Sequence, residues 1–150
     1  MIIRKSAAEI DRMARAGEIV SETLELLGEN LRPGNRLSDI GHAVETVTES
    51  AGFSVVRTLV GHGVGRSMHE DPQIPNFGEP GRGPLLASGM VFAIEPMINA
   101  GRADVILHDD EWSISSADGS LSCHFEHTVA VTEDEPRILT KSEVAAPLLP

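Results

Sequence analysis

The hydrophobic period of the chain changes at Gly52, and this change constrains the fold more than any other feature. Before Gly52, apolar residues recur at steps of three and four, which places them on one face of an α-helix. The first such stripe follows a capping-box pair, Ser6 and Glu9, in which each side chain satisfies a backbone N–H at a helix start. The segment RPGN at 32–35 ends this helix because proline cannot continue the helical hydrogen bonds. The stripe consists of Ile10, Met13, Gly17, Val20, Leu24, Leu27 and Leu31.

A second helical stripe runs from Ser38 to Gly52, and the segments after it are β-branched and apolar. Residues 53–60 (FSVVRTLV) and 89–98 (GMVFAIEPMI) are predicted strands. Further on, DVILHDDEWSIS leads through Asp118–Gly119 into LSCHFEHTVAVT, and Asp-Gly between two such runs indicates a β-hairpin. A short RILT strand follows. Two helices and then mostly antiparallel strands predict an α+β fold.

The composition limits the class of protein. A length of 150 residues suits one domain, 1–150, and an aromatic content of 3% without tyrosine requires an aliphatic core. The net charge of −11 argues against a nucleic-acid partner. No apolar run reaches the roughly 20 residues of a membrane helix, and the charged N-terminal segment does not resemble a signal or transit peptide. The single cysteine suits a reducing compartment, so we expect a cytoplasmic protein.

Three segments carry acidic or imidazole groups in unexpected places. Glu95 interrupts an apolar strand, and a buried isolated carboxylate is costly unless it is paired or binds a cation. In CHFEHTVAV, the strand alternation puts His124 and Glu126 on the same face, as for a ligand on a sheet surface. The third segment, GHGVGRSMHED, places His62 and His69 on either side of a glycine-rich corner.

Each of these residues also has a structural explanation. Glu95 can end its strand, since Pro96 follows and disrupts pairing. Glu126 can lie on a solvated sheet face, and His62 can be a lone imidazole in a loop. Against these explanations, one imidazole and two carboxylates are the ligand types of a divalent zinc, manganese, iron or cobalt site. A phosphate-binding loop is disfavoured, because GHGVGR lacks the Lys-Ser/Thr that ends a Walker loop.

Three ordered motifs resemble a known family. GHGVGRSMHEDPQIPNFG, GMVFAIEPM and DGSLSCHFEHTVAVT are similar to the second half of type I methionine aminopeptidases, and the N-terminal segment resembles their opening helix. The resemblance implies a pita-bread fold, which has two related αβ halves around a pseudo-twofold axis. This chain would form one half, with two helices on a curved, mostly antiparallel sheet. The resemblance also implies a dinuclear metal centre that removes the initiator methionine from new proteins.

The resemblance assigns metal ligands by matching motif. The histidine of GHG is His62, the glutamate of EPM is Glu95, and the glutamate of FEHT is Glu126. All three would bind metal, and Glu126 would bridge two ions. Glu95 would also take part in catalysis, where a carboxylate beside the metal relays a proton.

The resemblance also assigns residues that contact the substrate, a peptide or nascent chain with an N-terminal methionine. His69, the histidine of MHE, would contact the scissile carbonyl and stabilise the transition state. Met68 and Trp112 match positions that line the pocket for the methionine side chain.

The chain departs from the family pattern in its ligand count. The family draws two aspartate ligands from its first half, but no DxG…D strand pair occurs in this sequence. Instead, a first-helix segment (1–34) runs directly into a second-half unit (35–140), followed by a tail (141–150) expected to be loose. We therefore expect weak binding of Co, Mn, Fe or Zn, with a single ion held, and weak or absent aminopeptidase activity.

The missing half has a second consequence. It would uncover the apolar surface at which the two halves meet, and exposed patches of that kind usually bind a partner. We expect a homodimer in which a second copy takes that place. The alternative is a non-catalytic half-pita-bread module that dimerises or binds peptide.

Overall fold

The computed structural model describes residues 4–141, except for the side chains of 25–29. It contains two helices, α1 (Ala7–Asn30) and α2 (Leu37–Ser50). The predicted capping box is present at the start of α1: the Ser6 N–H donates to Glu9 Oε2 at 2.7 Å, and the Glu9 N–H donates to Ser6 Oγ at 3.4 Å. The strands are β1 (Ser54–Val55), β2 (Gly61–Gly63), β3 (Glu70–Ile74), β4 (Val91–Ile94), β5 (Met97–Asn99), β6 (Val105–Leu107), β7 (Ile114–Ser116), β8 (Ser122–His124), β9 (His127–Ala130) and β10 (Arg137–Ile138).

The described strands form three antiparallel sheets. The largest has five strands in the order β10–β9–β4–β2–β3, the second has the order β1–β5–β8, and the third is the β6–β7 ribbon. Helix α1 contacts α2, β5 and β8, and α2 contacts β1 and β3. The predicted α+β class, with two helices followed by antiparallel strands, is confirmed for this part of the chain.

Two chain segments cross between the five-stranded and the three-stranded sheets, in opposite directions, and each has a break of two residues where it crosses. The first leaves β4 and enters β5 across residues 95–96, and the second leaves β8 and enters β9 across residues 125–126. Because β4 pairs with β9 and β5 pairs with β8, the two interruptions lie opposite each other. The pairs on either side of them are Ile94 with His127 and Met97 with His124.

The core is mostly aliphatic, as the composition predicts, and it joins the helices to both larger sheets. Of the predicted α1 stripe, Val20, Leu24 and Leu31 are buried, whereas Ile10 and Met13 are 55% and 37% exposed. The first part of the stripe is exposed because α1 begins to pack on the core only from Ala16. Leu27 lies outside the described side chains. The core also includes Leu37, Ile40, Val44, Val55, Ile74, Leu86, Phe92, Ile94, Ile98, Val129 and Val131.

The hairpin predicted at Asp118–Gly119 is wrong. The segment before this turn folds back on itself to form the β6–β7 ribbon, in which Leu107 pairs with Ile114. The Asp118–Gly119 turn then carries the chain from that ribbon to β8, which pairs with β5 in another sheet. Neither α1 nor α2 is long and apolar enough to cross a membrane. The tail beyond residue 141, predicted to be loose, lies outside the described residues.

Candidate metal centre

Strand β2 is the three-residue segment Gly61–His62–Gly63, enclosed between β3 and β4. The two glycines are required by the close approach of the neighbouring backbones. A Cβ on Gly61 would lie 2.3 Å from the carbonyl oxygen of Ala93, and one on Gly63 would lie 2.4 Å from that of Asp71. The glycines therefore allow β2 to pair on both edges, and this pairing fixes the backbone from which His62 projects.

The ring of His62 is oriented by its own strand. Its Nδ1 lies 2.9 Å from the carbonyl oxygen of Gly63. Because a carbonyl only accepts, Nδ1 is the donor in this contact. A histidine that binds a metal usually donates its other ring N–H in this way. The Nε2 atom lies 3.6 Å from Glu95 Oε1, so this nitrogen faces the carboxylate.

Glu95 occupies the interruption between β4 and β5, with its side chain 16% exposed. Its carboxylate lies between two imidazoles, since Oε1 faces His62 at 3.6 Å and Oε2 faces His124 Nε2 at 3.5 Å. At this position the main chain leaves the strand ladder. The buried Asn76 side chain compensates by donating from Nδ2 to the Glu95 carbonyl oxygen at 3.0 Å. The backbone of Glu95 is thus held independently of its carboxylate.

The electrostatic environment of Glu95 favours a bound cation. Burial raises the pKa of Glu95, and the negative charge of Glu126 raises it further, while His124 and His62 lower it. Two carboxylates that face each other disfavour ionisation unless positive charge lies between them. A divalent cation would supply that charge.

The opposed interruptions bring three donors to one place, and His62 contacts this group through Glu95. Ligand atoms of Glu95, His124 and Glu126 all lie within 4.8 Å of one another. Carboxylate oxygens and neutral imidazole nitrogens are the donors that zinc, cobalt, iron and manganese accept. The residues present therefore fit the divalent cation that the ligand types predict.

Of the predicted substrate residues, His69 has a contact with this group, and Met68 and Trp112 are exposed. The ring centroids of His69 and His62 are 4.3 Å apart, so His69 stands beside the ligand group on the exposed side of β2. Met68 is 76% exposed, and Trp112 is 87% exposed in the turn between β6 and β7. Residues 4–141 therefore build no enclosed pocket around either of these two side chains.

His124 is the residue that sequence reasoning placed on the correct face but gave no role. The alternation in CHFEHTVAV put it beside Glu126, which was the available signal. Its Nε2 is 3.5 Å from Glu95 Oε2 because β5 pairs with β8, and this pairing aligns Met97 with His124. That register is a long-range property, which local patterning does not reveal.

Comparison with known proteins agrees with this geometry. The profile of metallopeptidase family M24 matches residues 2–133. The chain is 57% identical over 106 residues to a methionine aminopeptidase of Clostridium perfringens, covering 71% of this chain and 43% of that protein. It is 51% identical over 124 residues to methionine aminopeptidase 1 of Bacillus subtilis, covering 83% of this chain and 50% of that protein.

The fold is similar as well. The crystal structure of methionine aminopeptidase from Rickettsia prowazekii superposes with a TM-score of 0.82 at 40% identity, over 91% of this chain and 54% of that one. The chain thus spans about half the length of the relatives it matches, and its fold is the corresponding part of their pita-bread fold. The chain belongs to metallopeptidase family M24, and the relatives it resembles within that family are methionine aminopeptidases.

Proposed function

We propose that the chain is a methionine aminopeptidase-like metallohydrolase, which removes an N-terminal methionine from peptides. One observation supports this proposal most strongly. In a member of family M24, the two glutamates that match its motifs meet at the opposed strand interruptions, and the carboxylate of one of them, Glu95, lies between the imidazoles of His62 and His124.

The metal would be held by His62, Glu95 and Glu126, as the motif resemblance implies. A divalent cation held there would supply Lewis acidity towards water and the scissile carbonyl. Glu95 would accept the proton of the attacking water and pass it to the leaving amine, and burial, which raises the pKa of its carboxyl, supports this role. His62 donates from Nδ1 to the Gly63 carbonyl oxygen, which would leave Nε2 to bind the cation.

The substrate would approach from the exposed side of the ligand group. His69 would donate a hydrogen bond to the scissile carbonyl oxygen, and its ring contact with His62 supports this role. Met68 and Trp112 present large apolar side chains to solvent and would contact the methionine side chain. Because these exposed side chains do not enclose the methionine side chain, we propose that the substrate binds weakly and is turned over slowly.

The number of ligands also supports weak activity. Three carboxylate and imidazole ligands leave open positions on one cation, but a second cation would lack the carboxylates needed to neutralise it. We propose that a single ion of cobalt, manganese, iron or zinc is bound weakly.

The test is hydrolysis of a methionyl-peptide by chelator-treated protein with Mn²⁺ or Co²⁺ added back. We expect slow release of methionine that requires the metal and is abolished by Glu95→Gln and by Glu126→Gln. The matched control is Glu133→Gln, an exposed glutamate near β10, which should leave turnover unchanged. Cleavage that persists in chelator would refute the metal-dependent reaction, and turnover at the rates ordinary for complete enzymes would refute the weak-site argument.

We also propose a homodimer. The apolar side chains of Ile10 and Met13 on α1, and of Phe125 at the strand interruption, are exposed to solvent at 55%, 37% and 50%. Burying such residues against a second copy would remove apolar surface from water. Light scattering should give twice the mass of the chain at micromolar concentration, and a monomer across that range would refute the proposal.

The second candidate function is a peptide-binding module without catalysis, which the open site and the exposed Met68 and Trp112 favour. Binding of a methionyl peptide that is indifferent to chelator would support this module. We place either form in the cytoplasm, on the evidence of the single cysteine and the acidic composition, and cell fractionation tests that location.

A further inference from the structure

We infer that His124 is a direct metal ligand, so that this chain binds its cation with two imidazoles and two carboxylates of its own. The inference rests on the proposed metal site and adds a donor to it. The motif resemblance assigns no role to this residue.

The distances around His124 match a metal site better than a hydrogen bond. Two ligands of one tetrahedral zinc, with bonds of about 2.0–2.1 Å, stand roughly 3.3–3.4 Å apart. His124 Nε2 and Glu95 Oε2 are 3.5 Å apart, beyond the usual N–H···O range of about 2.7–3.2 Å. One ligand atom each of Glu95, His124 and Glu126 forms a triangle with no edge above 4.8 Å.

The backbone of His124 holds it in this position. It is the last residue of β8, where it is paired with Met97 of β5, and the two residues after it form the interruption that carries Glu126. Its side chain is 51% exposed, whereas that of Glu95 is 16% exposed. Glu95 would thus be the inner ligand, and His124 the more exposed one.

The neutral imidazole of His124, as a fourth donor, affects the total charge of the cation and its ligands. Two carboxylates already neutralise a divalent cation, so a further carboxylate would leave the site negative, whereas a neutral imidazole adds a bond without adding charge. Two nitrogen and two oxygen donors suit zinc and cobalt, while magnesium and calcium prefer oxygen alone. His124 therefore directs the site towards the first pair of metals.

The competing explanation is that His124 only orients Glu95 through a hydrogen bond and never touches the ion. The two explanations differ at the ring nitrogens. A ligand's bound nitrogen takes a metal-bound chemical shift and carries no proton once the metal arrives, whereas a nitrogen that only donates a hydrogen bond keeps its N–H.

The experiment is a ¹H–¹⁵N correlation of the histidine rings in the full-length protein, before and after saturation with Zn²⁺. We expect His62 and His124 to show metal-bound ring nitrogens. His108, which is bound to Ser115 in the exposed ribbon, and His127, whose Nδ1 contacts Thr140 Oγ1, should show none. A spectrum in which His62 becomes metal-bound while both ring nitrogens of His124 keep their metal-free shifts would overturn the inference and leave the proposed function standing.

Calorimetric titration with Co²⁺ gives an independent measure. We expect His124→Gln to weaken the affinity by at least about tenfold, since even the outer partners of metal ligands are worth about 10–100-fold. His108→Gln should bind like wild type. Equal affinity of His124→Gln and wild type, with binding lost in Glu126→Gln, would refute the role of His124 alone. No binding by the wild type would refute both this inference and the proposed metal site.

Discussion

Replacing Glu95 with glutamine should stabilise the protein without metal and remove its response to metal. In the metal-free protein the Glu95 carboxylate is mostly buried, and its pKa is raised by that burial and by the charge of Glu126. Glutamine keeps the size of the side chain and removes the charge. The main-chain hydrogen bond from Asn76 to the carbonyl oxygen of residue 95 does not involve the carboxylate and should remain.

The magnitude follows from the carboxylate separation. Oxygens of Glu95 and Glu126 lie within 4.8 Å, and two unit charges at that distance repel by about 3–4 kcal/mol at an effective dielectric constant of 20. Because Glu126 is exposed to water and salt, we reduce this to about 1 kcal/mol, in line with the modest energies of exposed charge pairs. Glu95→Gln should therefore raise the free energy of unfolding by about 1 kcal/mol at pH 7 and low salt.

The direction of the pKa shift predicts how the stabilisation by Glu95→Gln depends on pH. A carboxyl whose pKa is higher in the folded than in the unfolded state destabilises the fold once both states are ionised, and this penalty disappears when both are protonated. The advantage of Glu95→Gln should accordingly be largest near pH 7 and shrink as the pH falls towards about 4, the ordinary range of glutamate.

The assay is urea unfolding of wild type, Glu95→Gln and Glu18→Gln, each in chelator and with excess Zn²⁺. Glu18 is an exposed residue of α1, so its replacement controls for the change in net charge alone. Zn²⁺ at 100 times its dissociation constant should stabilise the wild type by about 2.7 kcal/mol and Glu95→Gln by nothing, which reverses their order. If Glu95→Gln is less stable than wild type in chelator, the carboxylate is a structural partner of the two imidazoles and the reasoning is refuted.

Three other substitutions test the frame around the site. Gly63→Ala should destabilise the fold by about 2–3 kcal/mol, because its Cβ would meet a β3 carbonyl oxygen at 2.4 Å. Gly65→Ala is the control, since the atoms its Cβ would meet belong to a movable, exposed carboxylate; equal losses in urea unfolding would contradict this account. Asn76→Ala should cost about 2 kcal/mol and weaken Zn²⁺ binding, because the Glu95 carbonyl oxygen loses its donor; unchanged Zn²⁺ affinity by calorimetry would show that Asn76 does not position the ligand. Trp112→Ala should change the free energy of unfolding by less than about 0.5 kcal/mol yet raise KM for a methionyl peptide, and an unchanged KM would exclude this side chain from the substrate site.

The helices and most strand positions can be predicted from local patterning, because the spacing of apolar residues reflects which face of each element is buried. The α1 capping box and the buried residues Val20 and Leu24 are confirmed. The exposed Ile10 and Met13 could not be anticipated. A 3.6-residue period shows which face of a helix is apolar, but it does not show where along the helix a partner begins.

The error at Asp118–Gly119 has a related cause. An Asp-Gly turn has the same local conformation whether the strands on either side pair or diverge. Here they diverge, because β7 pairs with β6 and β8 pairs with β5. Turn chemistry located the bend correctly, while the choice of partner depended on contacts far apart in sequence.

The candidate site shows the same division between local and long-range information. The sequence singles out Glu95 because a charged residue within an apolar run is unusual. In the structure, Glu95 lies in the gap between β4 and β5 and not within a strand, which explains how the charge is accommodated. The predicted strand end at Pro96 and the predicted ligand role are thus compatible rather than competing. Local patterning could not predict the strand register. That register places the gap between β8 and β9 opposite the gap between β4 and β5, and it brings His124 to 3.5 Å from Glu95.

The position of the ligands at two opposed gaps explains why fold and chemistry depend on the same residues. In a gap between paired strands, the carboxylate side chains need not alternate between the two faces of the sheet. Such a gap also leaves main-chain groups without hydrogen-bond partners, which is costly when those groups are buried. Asn76 satisfies one such group at Glu95. A cation between Glu95, His124 and Glu126 would link the two gaps through their side chains. The described strand pairs do not link these gaps through the backbone. Metal binding should therefore stabilise the junction between the two sheets as well as supply the reactive water, so that loss of metal weakens both.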